Sequence, residues 1–146
     1  MVNHNPKVLL DPPEMILGKI KIEIQNKNWI YALFLEASAI EGYLNSLIAL
    51  SGTPILKKAS KNFLDKMSFI SLINMNNILG NINDTLYKKL TKFGDQRNVF
   101  AHYLIGIDFK DPEVNDEARG LISEGLKLCQ ELADIQTNKL NLRTSK

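Results

Sequence analysis

Apolar residues recur along most of this chain at alternating spacings of three and four, the signature of helices that bury one stripe. The plainest case runs from Trp29 to about Leu50. Ile30, Leu33, Ala37, Ile40, Leu44 and Leu47 form a heptad stripe there, and Tyr31, Leu35, Ala39, Tyr43 and Ile48 make the other faces apolar too. A helix apolar all round predicts a central position, with Asn28 as its cap. A second long stripe follows Asp111-Pro112-Glu113, where Val114, Ala118, Leu121, Gly125, Leu128, Leu132 and Ile135 keep heptad spacing and Ile122, Leu126, Cys129 and Ala133 thicken it.

Shorter segments lie before and between. Asp11-Pro12-Pro13-Glu14 reads as a helix start, with an Asp cap, Pro in the first turn and Glu three residues on. The stretch from Met15 to Gln25 carries two patterns: Ile16, Ile20 and Ile24 at helical spacing, and Ile20, Ile22 and Ile24 alternating with Lys21 and Glu23. Without a second strand to pair with, the helix is the better expectation. Gly52 stops the central helix and Thr53-Pro54 restarts the chain, with Leu56, Ala59, Phe63, Met67 and Ile70 as an inner face until Asn74, Asn76, Asn77, Gly80 and Asn81 break the pattern. Asp84 restarts it, turning Leu86 and Leu90 inward and Lys88, Lys89 and Lys92 toward water. Gly94-Asp95 reads as a stop followed by a cap, so a fresh helix is expected near Gln96.

These elements predict an all-α fold: an antiparallel up-and-down bundle of four to six helices in one domain spanning 1–146, with 1–28 as an N-terminal arm or helix and 141–146 as a tail. The length of 146 residues suits one core, and 45% apolar residues exclude a disordered chain. A single cysteine, Cys129, excludes an intramolecular disulfide. Two histidines, His4 and His102, are too few with it for a His/Cys zinc site, so no metal and no cofactor is expected. Eighteen basic residues against sixteen acidic leave a net charge of +2, too balanced for a protein that coats duplex DNA or membrane by charge alone. The longest apolar run, Trp29 to Leu35, is short of the ~20 residues of a membrane span, and the first residues lack the apolar stretch of a signal peptide. A soluble cytoplasmic protein is expected.

Candidate chemistry gathers at Gln96-Arg97-Asn98-Val99-Phe100-Ala101-His102. On one helix Arg97 and His102 stand about 140° apart, whereas Asn98 and His102 share a face about 40° apart. All three work best in a crevice around the helix or between two copies of it. A cap at Asp95 puts Arg97 and Asn98 in a first turn, where free N–H groups favour an anion. The plainer alternative is a buried histidine that fixes packing, with Arg97 paired to Asp95, Glu36 or Glu41. Glu36 and Glu41 are expected exposed or salt-bridged, Trp29, Tyr31, Phe34 and Tyr43 in the core or on a dimer surface, and Cys129 in the core as a small apolar residue.

Arg97, the polar Asn98 after it and His102 resemble the Arg-polar-x-x-x-His signature of the HEPN superfamily. The likeness extends to Leu79-Gly80-Asn81-Ile82 and Leu86-Tyr87 leading into Arg-Asn-Val-Phe-Ala-His, and Ala32 to Ile48, with Glu41, is similar to the family's early helix. The resemblance implies a metal-independent endoribonuclease, a toxin or defence effector, whose symmetric homodimer brings two motifs together. In that reading His102 is general base or acid, Arg97 holds the phosphate, and Asn98 orients the histidine or the phosphate. The RNA 2′-hydroxyl attacks, leaving a 2′,3′-cyclic phosphate and a 5′-hydroxyl. An antitoxin or a nucleotidyltransferase is the implied partner. Toxins silenced by nucleotidyltransferases carry a tyrosine two residues after the histidine; here Tyr103 follows directly and Leu104 takes the second position. A second branch of the superfamily, the mannitol operon repressor type, is similar over 79–104 as well and implies a non-catalytic regulatory or binding module.

Overall fold

The computed structural model describes residues 13–51, 66–102 and 112–144; the side chains of Pro13, Ala101, His102, Val114, Asn115, Arg143 and Thr144 fall outside that description. Every regular element among the described residues is a helix: α1 (Pro13–Gln25), α2 (Trp29–Leu50), α3 (Phe69–Ile78), α4 (Asp84–His102) and α5 (Pro112–Thr144). The fold is an all-α bundle. α2 lies at its centre, packed on α5 along most of its length and on α1 and α3 at its sides, while α4 bridges α3 and α5.

The α1 pattern resolves as a helix because Leu17 and Ile20 are buried together and Ile22 points to water. The strand alternation would have required Ile22 inside. α1 ends in a six-to-one, five-to-two hydrogen-bonded turn, with Asn28 N–H donating to the Glu23 carbonyl (3.0 Å) and Lys27 N–H to that of Ile24 (3.1 Å). That turn puts Lys27 at a left-handed φ of 59°. Asn28 does precede α2, but its amide donates to the Glu23 carboxylate (2.8 Å) and caps nothing.

α2 buries Ala32, Ala37, Ala39, Ile40, Tyr43, Leu44, Leu47 and Ile48, and α5 meets it with Leu121, Ile122, Leu128, Cys129, Leu132 and Ala133. Both heptad stripes therefore form one seam. At 22 residues and a mean hydropathy of 1.2, α2 has the length and composition of a membrane-crossing helix; here that apolar surface covers α1, α3 and α5. Of the aromatics expected in the core or on a dimer surface, Tyr43 is buried, while Tyr31 and Phe34 are exposed.

Three further expectations about the helix boundaries are corrected. First, the asparagines at 74–77 do not break a helix. α3 runs through them from a Ser68 cap, whose hydroxyl accepts from Ser71 N–H (3.2 Å). Asn76 is fully buried, and its amide donates to the Leu44 and Leu72 carbonyls (3.1 and 2.8 Å). Asn81 donates to the Leu47 carbonyl (3.2 Å) and to Asn76 Oδ1 (2.9 Å), and accepts from Lys139 Nζ (2.6 Å). These amides tie the end of α3 to the last turns of α2 and to α5. The inner face of α3 is Leu72, Ile73 and Asn76, and Ile70 is exposed.

Second, Gly94-Asp95 neither stops nor starts a helix; α4 is continuous from Asp84, with Asn83 Oδ1 accepting from Leu86 N–H (2.8 Å) as its cap. Gly94 is required by proximity: a Cβ there would stand 2.8 Å from the Phe69 ring. Third, α5 continues through 141–144. The expected start at Asp11, the Gly52 stop, the Thr53-Pro54 restart, the inner residues Leu56, Ala59 and Phe63, and Tyr103 and Leu104 lie outside the described residues.

Candidate functional site around Arg97

α4 buries Leu86, Leu90 and Phe93, a three-and-four progression whose next members are Arg97 and Phe100. Arg97 thus stands on the seam of its helix where an apolar residue is the rule, which leaves its side chain only 20% exposed. Its charge is held from three sides. The guanidinium lies 4.6 Å from the centre of the Phe69 ring, donates to Asn98 Oδ1 at 3.1 Å, and meets Glu41 Oε1 of α2 at 3.5 Å. Of the three carboxylates weighed from sequence, Glu41 is the partner.

Because α4 is unbroken at Gly94, Arg97 and Asn98 sit in the helix interior, with their N–H groups inside the helical hydrogen-bond ladder. The first-turn anion seat expected at Asp95 does not exist, so any phosphate contact here belongs to the side chains. Asn98 is exposed on the same stretch. His102 is the last residue of α4, one turn beyond Asn98, so the helix keeps those two positions on one face.

A surface cavity of about 220 Å³ opens beside Arg97, between α2, α4 and α5. Trp29, Leu33, Phe34, Phe100 and Ile122 make most of its wall, and Ser38, Glu41, Arg97 and Asn98 supply its polar groups. The Arg119 guanidinium stands 5.2 Å from the Trp29 ring. Exposed Tyr31, Phe34 and Val99 belong to the same stretches of α2 and α4. Neither this cavity nor the Trp29–Arg119 contact was foreseen from sequence; the seam position of Arg97 was the available signal.

Glu36 was expected exposed or paired and is neither. It is fully buried, and neither carboxyl oxygen has a hydrogen-bond partner. Its carboxyl lies where α2, α4 and α5 meet: a Cβ on Gly125 would collide with Oε2 and would stand 2.7 Å from the Phe93 ring. Burial pushes its pKa up to about 9, so the group is neutral at pH 7. Cys129, buried as expected, sends its thiol toward the Glu36 carbonyl at 3.7 Å, and burial, then the nearby Glu36, raises its pKa strongly. Tyr43 is buried too, with its hydroxyl unpartnered and its pKa pushed up to about 12 by burial. Among the described residues, no group of three His, Cys, Asp or Glu side chains is placed to hold a metal ion.

Compared with protein-family models, with characterised proteins and with solved structures, the chain matches none. The HEPN likeness therefore rests on the residues from Leu79 to Leu104 and on the early helix.

Proposed function

We propose that this chain is a HEPN-type endoribonuclease, a cytoplasmic toxin or defence effector that cuts RNA without a metal ion. The observation that carries the proposal is the cationic seam residue: Arg97 is braced by Glu41, Asn98 and Phe69 beside an open cavity, five residues before His102 on the same helix. Cleavage of RNA through its own 2′-hydroxyl asks the protein for proton transfer and charge neutralisation only. Arg97 holds the phosphate through guanidinium donors that Glu41 and Asn98 leave unused. Asn98 orients the phosphate or the histidine. His102, a histidine whose ordinary pKa is near working pH, moves the protons.

Two proton transfers with one motif histidine per chain call for a second copy. The exposed Tyr31 and Val99 flank the site and supply apolar surface for a homodimer that pairs the motifs. An antitoxin or a nucleotidyltransferase is the partner that would restrain such an enzyme. Expression of the wild-type chain in a bacterium should arrest growth, and His102→Ala and Arg97→Ala should each relieve the arrest. Growth unaffected by the wild-type chain would count against the proposal.

Two observations favour a second reading. The Arg97–Glu41 pair and the largely apolar cavity also suit a non-catalytic module, like the mannitol operon repressor branch, that binds a ligand to regulate expression. Such a module leaves growth unaltered, whether the wild-type chain or His102→Ala is expressed.

A further inference from the structure

Phosphate chemistry at Arg97 makes no use of the cavity next to it. An apolar cavity of about 150 Å³ already accepts a benzene-sized ring, and pockets for drug-sized molecules begin at roughly 300 Å³. At about 220 Å³ this one takes a single flat group of one or two rings. Trp29, Phe34 and Phe100 offer it aromatic contact, while the Ser38 hydroxyl, the Glu41 carboxylate and the Asn98 amide give both acceptors and donors for a polar edge. Arg97 lies among those polar groups, so a ligand's negative charge belongs on the same side as its polar edge. Apolar faces, a hydrogen-bonding edge and an adjoining anion are together the chemistry of a nucleobase on its phosphate chain. Phe34, part of the cavity wall, is 47% exposed, so a seated base can stack on it from the open side.

We propose that this cavity seats one unpaired base of the RNA strand while the adjoining phosphate rests on Arg97, which makes the substrate single-stranded or looped RNA. A duplex base has both faces stacked and its edge paired, so it cannot enter. The inference rests on the RNA-cleaving reading above and adds to it where the strand binds and which RNA conformation is accepted.

Trp29 is the chain's single tryptophan and lines the cavity, so tryptophan emission reports on this site alone. The test titrates the full-length chain with a 2′-O-methyl oligoadenylate, whose blocked 2′-oxygen cannot attack, and with the same strand annealed to its complement. The single strand should change Trp29 emission saturably, at least about tenfold more tightly than the duplex. Phe34→Ala should weaken it by about tenfold, the loss expected for one stacking ring. Ser38→Phe, at an exposed position clear of the core, should fill the mouth and abolish the response while circular dichroism stays unchanged.

No saturable change with the single strand, an equal response to the duplex, or binding indifferent to Ser38→Phe would each overturn the proposal. So would emission that shifts with protein concentration alone and then ignores RNA, the sign that a second copy fills the cavity. Cleavage of unmodified RNA by the same preparation separates the two claims. Cutting without a Trp29 response removes the base subsite and leaves the activity, whereas a Trp29 response without cutting removes the activity and leaves the subsite.

Discussion

Replacing Glu36 by Gln should stabilise this protein, and by an amount that grows with pH. The carboxyl is sealed among α2, α4 and α5 with neither oxygen hydrogen-bonded, and its pKa is raised from an ordinary 4.5 to about 9. In the unfolded chain the proton leaves as pH rises past 4.5, while the native state keeps it until about 9. Between those limits the unfolded state binds fewer protons, so native stability falls with rising pH by up to about 1.4 kcal/mol per unit. At pH 7 the accumulated cost is about 3 kcal/mol, a large share of the roughly 5–15 kcal/mol that holds a domain together. Glutamine has nearly the same shape and does not ionise, so the substitution removes the slope. Urea unfolding of both proteins near pH 5 and near pH 8 reads the difference directly: nearly equal stabilities at the lower pH, and the variant ahead by about 3–5 kcal/mol at the higher. Parallel pH profiles, or a variant that loses stability as pH rises, would show that Glu36 is solvated or paired and would refute the reasoning.

Other substitutions test neighbouring parts of the packing. Gly125→Ala drives a methyl group into the Glu36 carboxyl and the Phe93 ring and should cost about 1–3 kcal/mol, measured by denaturant unfolding. Asn76→Ala removes three hydrogen bonds, one to Leu44 of α2, one to Leu72 within α3 and one from Asn81, at a cost of about 2–4 kcal/mol in the same assay. Lys27→Gly relieves a left-handed backbone at the end of α1 and should add about 1 kcal/mol. The Cys129 thiol, buried with its pKa raised, should react with a disulfide reagent only as fast as the chain opens; modification at the rate of a free thiol would show the core open there.

The long stripes were legible because burial repeats at every turn. Ala118, Leu121, Gly125, Leu128 and Leu132 are all inside, as heptad spacing requires. What sequence periodicity misread were positions decided by a neighbour in space. Gly94 looks like a stop, yet its missing side chain makes room for Phe69, and the helix passes through. Asn76 looks like a breaker, yet its amide finds the Leu44 and Leu72 carbonyls. Glu36 carries a charge in the sequence, but neutralising it by protonation costs less than exposing the α2–α5 seam around it. At the candidate site, the motif could be read along the chain, but Asp95, Glu36 and Glu41 stood as equal partners for Arg97 until the fold set Glu41 of α2 beside it. The cavity could not be read that way, because its walls come from three helices far apart in sequence.

The central claim is that Arg97 and His102 cut RNA. The most direct measurement incubates purified wild type, His102→Ala and Arg97→Ala with mixed RNA in excess chelator and analyses the product ends. Cleavage by the wild type alone, leaving 2′,3′-cyclic phosphate and 5′-hydroxyl termini, is the predicted result. No cleavage by any of the three, or equal cleavage by all, would contradict it.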